Sequence, residues 1–381
     1  MKAQETRICR FRLTEVVVPA RANAVNHPDL DRPLHKLAVA GQAGWSMQFD
    51  ALPKLLIEME LDNGVIGFGE CYRGHSWATV EAVAKRLLGS TLAAIPLQQV
   101  PIARCREHDG LELAVWDAYA KTHDLRLCDL LGGPLRDRVK VGAWTGHRKV
   151  EEIPAMAAEF ARQGFDCWKF KCDLEDDVVG WCQAVKSGAP GMSVILDPNE
   201  RWEQSHEAAR RLRALAEVGN LLCLEDPLPR WMLAEYRALR HLGLGAVALH
   251  VSLPYVEHGQ RVHDAILALQ QGAVDAFNFN GGMAEFAQLA AIAQAANLPC
   301  WHGSEVDLGI LEAMYVHQAA AAATCTWPSD IFGRLVREHD LLKASLAIEA
   351  PYVRLPEGPG LGVELDAAAI QHYQTQLKII E

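Results

Sequence analysis

Short apolar segments alternate with helical patterns between residues 139 and 329, and this repeat constrains the fold more than any other feature of the chain. Each segment is rich in Val, Ile, Leu and aromatic residues, which is typical of a strand buried on both faces. The strand candidates are VKVGAW (139–144), CWKFKCD (167–173), SVILDPN (193–199), LLCLEDP (221–227), AVALHVS (246–252), VDAFNFN (274–280), LPCWHGS (298–304) and the weaker ATCTWPS (323–329). Repeated units of strand and helix predict a parallel sheet with right-handed crossovers.

The number of strand candidates favours a closed barrel over an open sheet. The alternative is an open, doubly wound sheet, which normally carries a glycine-rich phosphate-binding turn after an early strand. The sequence contains neither GxGxxG nor GxxxxGK[ST]. We therefore predict the α/β class, with a (β/α)7β modified TIM barrel.

The two ends of the chain have a different pattern. CRFRLTEVVVP and LLIEMELDNGVIGFGEC are typical of strands, and the Asn63-Gly64 pair in the second is a strong hairpin signal. We predict an α+β capping domain from residues 1–135, the barrel from 136–332, and a C-terminal segment, 333–381, that returns to the capping domain. The long polar segment from Arg21 to Trp45 is either a lid or a disordered surface loop.

Composition excludes several classes of protein. The formal net charge of -11 argues against general nucleic-acid binding, which requires a basic surface. The longest apolar stretches, such as residues 287–296, are too short and polar to span a bilayer, and the N-terminus has no apolar signal sequence. The 10 cysteines form no CxxC pair, which indicates reduced thiols and no structural zinc. We predict a cytoplasmic protein that binds neither nucleic acid nor membranes.

Polar residues occupy the ends of six consecutive strand candidates. They are Lys169 and Lys171, Asp197 and Asn199, Glu225 and Asp226, His250, Asn278 and Asn280, and His302 with Glu305. The active site of a parallel barrel lies where its strands end, at their C-terminal side. Packing alone favours branched apolar side chains in a barrel interior. We therefore expect these polar groups to line one pocket.

These side chains can support chemistry on a carboxylic acid. Asp197, Glu225 and His250 are candidate ligands of a divalent cation. Such a cation neutralises a substrate carboxylate and the charge that develops when an α-proton is removed. Lys171 and His302 can each exchange a proton with the α-carbon, from opposite sides.

Several of these segments form a specific combination that extends over nearly the whole chain. WKFK is similar to a KxK motif, LDPNERW to Asp-x-Asn-x-x-Trp and LEDP to Glu-x-Pro; NGG before a helix, WHGSEVDLGI and PEGPGLGVELD also match. Together they resemble the enolase superfamily, specifically its mandelate racemase/muconate lactonizing enzyme-like branch. The resemblance implies metal ligation by Asp197 and Glu225. It implies Lys171 as general base, Lys169 on the substrate carboxylate and His302 as acid or base on the other face.

The resemblance also implies a capping domain that closes over the barrel mouth and selects the substrate. We predict substrate contacts from Asn199, Asn280, Glu305 and Trp45. Because members of this family are commonly dimers or octamers, we expect a homo-oligomer that acts on a small carboxylate.

Three positions depart from the family pattern. One is the end of the eighth strand, where no obvious glutamate stands; Ser329 and Asp330 lie nearby, and Glu305 is the alternative hydrogen-bonding group. His250 stands where the third metal ligand is normally an acid. We expect a divalent metal, with Mg²⁺ as the first choice, but imidazole suits Mn²⁺, Fe²⁺ or Zn²⁺ better. Alternatively, His250 is not a ligand and water fills its place. Asn280 is the nearest match to the Asp that orients the histidine in racemase-like members, and an amide stabilises an imidazolium less well.

These departures bear on the choice among four functions, of which a lactone cycloisomerase is as compatible with the residues as a dehydratase. We predict the dehydration of an acid sugar or a similar hydroxy-carboxylate through an enediolate, because dehydration tolerates unequal roles for lysine and histidine. The alternatives are a racemase or epimerase, or a lactone cycloisomerase, acting on a hydroxy acid. A second alternative is a catalytically impaired paralogue that only binds its ligand, since His250 and Asn280 replace two acids.

Overall fold

The computed structural model of the protein describes residues 6–30, 49, 52–103, 105–251 and 260–381. The strands in these ranges are β1 (Ile8–Val16), β2 (Lys54–Leu61), β3 (Ile66–Cys71), β4 (Arg138–Lys140), β5 (Ala143–Thr145), β6 (Cys167–Lys171), β7 (Ser193–Asp197), β8 (Leu221–Glu225), β9 (Ala246–Val251), β10 (Ala276–Phe279), β11 (Cys300–His302), β12 (Ile348–Glu349), β13 (Tyr352–Arg354) and β14 (Gln374–Ile380). The α-helices are α1 (Trp77–Leu87), α2 (His108–Thr122), α3 (Ile153–Gln163), α4 (Val178–Gly188), α5 (Ser205–Val218), α6 (Leu233–Arg240), α7 (Arg261–Gln270), α8 (Met283–Ala295), α9 (Gly309–Ala321), α10 (Gly333–Val336) and α11 (Ala367–Tyr373).

Strands β5 to β11 form one parallel sheet in which each strand pairs with its neighbours along the chain. The segment 324–330, which follows α9, closes the curve of this sheet. Cys325 forms a parallel bridge to Cys300 at one edge, and Ser329 forms one to Val141 at the other. Pro328 lacks an N–H group, which limits the ladder that this segment can form. The predicted α/β barrel is confirmed, and its eighth position is held by isolated bridges.

One predicted strand is divided into two. VKVGAW contributes β4, which pairs with β13 in a small antiparallel sheet, and then β5, which joins the barrel. Gly142 separates the two strands.

The barrel helices cover the outside of the sheet with one apolar face each. In α5, the buried residues are Ala208, Leu212, Leu215 and Val218, at helical spacing. The helix ends at Gly219, whose φ of 79° is in the left-handed region that glycine adopts without strain.

Alternate side chains of the barrel strands point inward, since successive residues of a strand face opposite sides. The lower inward layer is apolar and comprises Cys167, Ile195, Cys223, Ala248, Ala276 and Trp301. Two residues further along the first five of these strands, the inward layer is polar and buried. It comprises Lys169, Asp197, Glu225, His250 and Asn278. An apolar floor thus supports a polar layer at the C-terminal mouth.

A second sheet, with the strand order β14-β1-β2-β3, is antiparallel and packs against α2. The predicted hairpin connects β2 and β3, and Gly64 in its turn has a φ of 84°. The glycines of β3 allow close approach of the helix, because a Cβ on Gly69 would lie 2.0 Å from the carbonyl oxygen of Gly110. The C-terminal strand β14 pairs with β1. The division of the chain at residues 135 and 332 stays a prediction.

Buried ion pairs join this sheet to the barrel. The Lys54 ammonium lies 2.5 Å from Asp307 Oδ1, in the loop after β11, and 3.1 Å from Glu70 Oε1. Glu70 accepts hydrogen bonds from the backbone N–H groups of Leu308 and Leu311 at the start of α9. The antiparallel sheet, or capping sheet, is thereby held against the loop after β11 and the start of α9. Of the helices described, none has the length and apolar character needed to cross a bilayer.

Candidate active site at the barrel mouth

Lys169 lies at the centre of a buried group of carboxylates. Its Nζ is 2.7 Å from Glu225 Oε2, 2.8 Å from Asp330 Oδ2 and 3.3 Å from Asp197 Oδ2. Burial favours the neutral amine, but the three carboxylates outweigh this effect and raise the pKa of Lys169 well above its ordinary value. These contacts favour the charged form of Lys169.

Lys171 contacts the same Asp197 carboxylate through its Nζ. Burial opposes ionisation of Asp197, but Lys171 and Lys169 together hold its pKa well below the usual range. Burial and the neighbouring Asp197 have the opposite effect on Glu225 and raise its pKa well above the usual value. Glu225 also accepts a hydrogen bond of 2.8 Å from Asn278 Nδ2. The two acids therefore have pKa values shifted in opposite directions.

The donor set at these strand ends fits a divalent cation. Asp197 and Glu225 both contact the single ammonium of Lys169, so both can reach one shared cation. Asn199 Oδ1 is buried without a hydrogen bond among the described residues, and Glu225 Oε2 contacts the Lys169 ammonium. Oxygen donors of this kind are the ligands that Mg²⁺ prefers. Three carboxylates, those of Asp197, Glu225 and Asp330, face two lysines, so this group contains more acids than ammonium groups.

His250 lies beside this group. Its Nδ1 is 3.5 Å from Glu225 Oε1, and its Nε2 is hydrogen-bonded to Asn280 Oδ1. Burial, followed by the charge of Lys169, lowers the pKa of His250 well below its ordinary value. The neutral imidazole is the form that binds metals. Its assignment as the third ligand stays a prediction.

His302 does not reach this pocket, and the prediction that it faces Lys171 is wrong. The ring stacks on Tyr315 of α9 and on Phe286 of α8, with centroids 3.8 Å and 4.6 Å away. Its Nε2 is 2.8 Å from Gln318 Oε1, and its Nδ1 is 2.7 Å from the carbonyl oxygen of Gly303. The side chain is fully buried between the sheet and the outer helices. Burial lowers its pKa to about 4.

The strand period explains this error. Trp301 belongs to the inward apolar layer, so its neighbour His302 must point outward. The next inward position is Gly303, where a Cβ would lie 2.4 Å from the side chains of Asn278, Asn280 and His250. The sequence prediction counted His302 as a strand-end residue without assigning it a face. Counting alternate positions from Trp301 would have excluded it.

The pocket at the mouth is lined by side chains from both parts of the molecule. Of the predicted residues it includes Lys171, Asn199, His250 and Glu305, and the others are Arg73, Trp144, Ser304, Val306, Asp330 and Phe332. Arg73 follows β3 of the capping sheet and lies 3.3 Å from Glu305. No local pattern marks Arg73, Trp144 or Phe332 as pocket residues, because their positions depend on packing between segments that are far apart in the sequence. Trp45 lies outside the described residues.

Asn280 is not among the residues that line this pocket. Its Nδ2 donates a hydrogen bond of 2.9 Å to the carbonyl oxygen of Gly303, and its Oδ1 holds His250. Its contacts therefore fix the backbone after β11 and the orientation of the imidazole.

Comparison with known proteins agrees with this architecture. The Enolase C-terminal domain-like family model matches residues 152–369. Muconate cycloisomerase 1 of Rhodococcus opacus is 28% identical over 375 residues, which cover 90% of this chain and 95% of the relative. The o-succinylbenzoate synthase of Bacillus subtilis (strain 168) is 26% identical over 346 residues, which cover 85% and 90%.

Solved structures share the fold. The 2-chloromuconate cycloisomerase from Rhodococcus opacus 1CP aligns with a TM-score of 0.80 at 22% identity, over 97% of this chain and 100% of that one. The N-succinyl Arg/Lys racemase from Bacillus cereus ATCC 14579 aligns with a TM-score of 0.81 at 19% identity, over 98% and 100%. The chain therefore belongs to the enolase superfamily of enzymes, in its mandelate racemase/muconate lactonizing enzyme-like branch.

Proposed function

We propose that this protein removes the proton α to the carboxylate of a small unsaturated or ring-containing acid, as in the opening or closure of a lactone, with Lys171 as the base. An aromatic wall in the pocket carries this proposal. The rings of Trp144 and Phe332 are stacked, with centroids 4.5 Å apart and planes at 8°, and Val306 packs in the same apolar cluster. All three line the pocket that contains Lys171.

An apolar wall disfavours a substrate that carries many hydroxyl groups. Each hydroxyl that enters the pocket needs a hydrogen-bond partner, and each missing partner costs about 1–3 kcal/mol. A flat ring or a conjugated chain instead gains from contact with the aromatic faces. We therefore place lactone cycloisomerisation and related eliminations ahead of the acid-sugar dehydration predicted from the sequence. The names of the similar enzymes, cycloisomerases and o-succinylbenzoate synthase, agree with substrates of this kind.

The proposed reaction assigns separate roles to the two lysines. Lys171 takes the proton from the α-carbon, and the electron pair of the C–H bond moves into the carboxylate to give an enediolate. With a lactone as substrate, the ring oxygen on the β-carbon then leaves as a carboxylate when these electrons return. Lys169, which stays charged, pairs with the substrate carboxylate. A divalent ion held by Asp197 and Glu225 would neutralise the same carboxylate when bound.

The position of His302 favours a reaction on one face of the substrate. Racemisation needs a proton donor on the face opposite the base, and His302 was the residue predicted for that role. Its outward position removes it from the pocket. An elimination, or the reverse addition, needs only the one lysine.

The test is deuterium incorporation at the α-carbon. The enzyme is incubated in D₂O with Mg²⁺ or Mn²⁺ and three groups of acids: lactone acetic acids, cyclic or unsaturated carboxylates, and acid sugars. We expect exchange in the first two groups, and no exchange with the Lys171→Met variant. Turnover of acid sugars alone would contradict the proposed substrate class, and exchange that survives in Lys171→Met would contradict the mechanism.

The ligand-binding paralogue is the second candidate, and one observation favours it. His250 and Asn280 are hydrogen-bonded to each other, which gives one side of the mouth a network without an acid. A paralogue of this kind would bind an unsaturated acid, and its melting temperature would rise with that acid. It would show no exchange of the α-proton in D₂O. The same panel of acids therefore separates the two functions.

A further inference from the structure

The guanidinium of Arg230 connects the C-terminal ends of three neighbouring barrel strands, β7, β8 and β9. Its Nε donates to Glu200 Oε1 at 2.8 Å, and its Nη1 donates to the carbonyl oxygen of His250 at 3.0 Å. Its Nη2 lies 3.4 Å from Asp226 Oδ2. Neither the arginine nor the two acids line the pocket that contains Lys171. We call Arg230, Glu200 and Asp226 the arginine clamp.

The arginine clamp holds strained backbone. Glu200 and Asp226 have φ angles of 65° and 43°, and Asn199, next to Glu200, has a φ of 48°. Residues other than glycine rarely adopt this left-handed conformation, and they keep it only where the surrounding contacts fix it. Here the backbone N–H of Glu200 donates to the carbonyl oxygen of Asp226 at 2.7 Å, and Arg230 contacts both side chains. One guanidinium therefore fixes the two loops against each other.

On the β7 side, the clamp is linked to the carboxylate of Asp197. The backbone N–H of Asn199 donates to Asp197 Oδ1 at 3.0 Å. Glu200 follows Asn199 directly, and its side chain is the one that Arg230 holds. A shift of Glu200 would therefore move the N–H group that orients the carboxylate of Asp197.

On the other side, the clamp is linked to Glu225 and His250. Asp226 follows Glu225 directly at the end of β8. Asp226 Oδ1 accepts a hydrogen bond of 2.8 Å from the backbone N–H of His250, while Arg230 donates to the carbonyl oxygen of the same residue. Both backbone polar groups of His250 are thus held by the clamp.

The geometry of the clamp requires arginine. Glu200 and Asp226 are buried, so the charge that faces them is little screened by water. A guanidinium presents its N–H groups in a rigid plane, which matches several acceptors at once. A lysine at position 230 would keep the charge but has one nitrogen, which cannot take the places of Nε, Nη1 and Nη2 together.

We propose that Arg230 is the positioning residue of the cation site, which sets the spacing of the strand ends that carry Asp197, Glu225 and His250. It acts through the backbone and does not contact the ion or the substrate. The inference rests on the proposed function, in which a divalent ion held by Asp197 and Glu225 neutralises the substrate carboxylate. Residues that orient metal ligands without binding the metal commonly change its affinity by about 10–100-fold when they are replaced.

The experiment measures Mn²⁺ binding to the metal-free protein by titration calorimetry, and the spectrum of the bound ion by electron paramagnetic resonance. The test variant is Arg230→Lys, which preserves the positive charge. We expect its Mn²⁺ affinity to fall by about tenfold. We also expect an altered spectrum, because the ligands change their spacing around the ion.

Arg240→Lys is the matched control. Arg240, at the end of α6, donates to Asp275 Oδ1 at 2.6 Å and to the carbonyl oxygen of Gly272 at 3.3 Å. Asp275 directly precedes β10, so this ion pair lies at the start of a barrel strand and not at the mouth. The control variant should lose thermal stability, and it should bind Mn²⁺ with the affinity and spectrum of the wild type.

An unchanged affinity and an unchanged spectrum in Arg230→Lys would overturn the proposal, because the arginine would then serve stability alone. If that variant does not fold, Glu200→Ala and Glu200→Gln decide. Both remove the charge, but only glutamine keeps an oxygen that accepts from Arg230. We expect weaker Mn²⁺ binding in Glu200→Ala than in Glu200→Gln, and equal binding would refute the positioning role.

Failure of the proposed function gives a different pattern. A wild type that binds Mn²⁺ but exchanges no α-proton in D₂O would contradict the proposed function, while the affinities of the Arg230 and Glu200 variants would still decide this inference. A wild type that binds neither Mn²⁺ nor Mg²⁺ would overturn both. Lys171→Met should lose the exchange and keep the bound ion, since it removes the proposed base and leaves the clamp intact.

Discussion

The two halves of the barrel mouth differ in charge. The half formed by β6, β7 and β8 places Lys169, Lys171, Asp197 and Glu225 in direct contact, and every one of these groups can carry a charge. The half formed by β9, β10 and β11 presents His250, two asparagines and a glycine. His250 and Asn280 are hydrogen-bonded to each other, and Asn278 donates across the barrel to Glu225. The ionic half has the means to hold a cation and move a proton. The neutral half can shape the pocket and orient a bound substrate.

This difference implies that catalysis is one-sided. A symmetrical site would carry a base on each half, as racemisation requires. Here the lysines lie together on one strand, β6, and the histidine predicted to oppose them lies outside the barrel. Removing the proposed base from the ionic half tests this conclusion most directly.

Lys171→Met is expected to have the largest effect. Loss of the proposed general base should lower the rate of α-proton exchange by about 10²–10⁴-fold. The measurement is deuterium exchange with the acid that the wild type accepts. Lys171→Arg is the matched control, because it keeps the charge beside Asp197 but stays protonated at neutral pH. We expect both variants to be inactive, and activity in either would remove Lys171 from the reaction.

His302→Ala tests whether the histidine on β11 takes part in the reaction. We expect a lower stability and an unchanged rate of α-proton exchange. The substitution opens a cavity between Phe286 and Tyr315 and leaves Gln318 Oε1 without its partner. The free energy of unfolding should fall by about 2–4 kcal/mol. Urea denaturation measures this loss, and the exchange rate of the folded fraction should equal that of the wild type. A hundredfold slower exchange at unchanged stability would return His302 to the reaction.

Lys171 and His302 show what the sequence could and could not predict. The barrel and the ionic cluster follow from local rules, since the repeat specifies strands and the spacing of Lys169 and Lys171 places both on one face. The prediction for His302 was wrong because the short strand β11 has no pair of polar residues that marks its inward face. Arg73 and Phe332 could not be predicted as pocket residues for another reason. Their positions depend on packing between segments far apart in sequence, which no local pattern encodes.

The pH dependence of stability gives a smaller test of the same residue. Burial lowers the pKa of His302 and of His317 to about 4, whereas an unfolded histidine has a pKa of about 6.5. Between these values the unfolded chain binds protons that the folded chain does not. Stability is therefore full above pH 6.5 and falls as the pH decreases towards 4.

Each of these histidines should lower the free energy of unfolding by about 2 kcal/mol between pH 7 and pH 5. Urea denaturation at the two pH values measures the change. In His302→Asn the decrease should be smaller by that amount. His317→Asn is the control with an equal expected change, because His317 contacts Cys128 and Leu361. An unaltered decrease in His302→Asn would mean that His302 is accessible to protons in the folded state.

His250→Asp should have the smallest effect, because it adds one acid to the neutral half without changing the base. The new carboxylate would lie near Glu225, whose pKa burial and Asp197 already raise. Without metal, the added negative charge should lower the melting temperature. With Mg²⁺, it should strengthen binding by about tenfold, or about 1.4 kcal/mol, because affinity for hard cations rises with ligand charge. Titration calorimetry measures both constants, with His250→Asn as the neutral control. If His250 is itself a metal ligand, Mn²⁺ affinity should fall in the Asn variant. If Mn²⁺ and Mg²⁺ bind both variants as tightly as they bind the wild type, His250 does not belong to the metal site. The difference in charge between the two halves of the mouth then has no effect on cation binding.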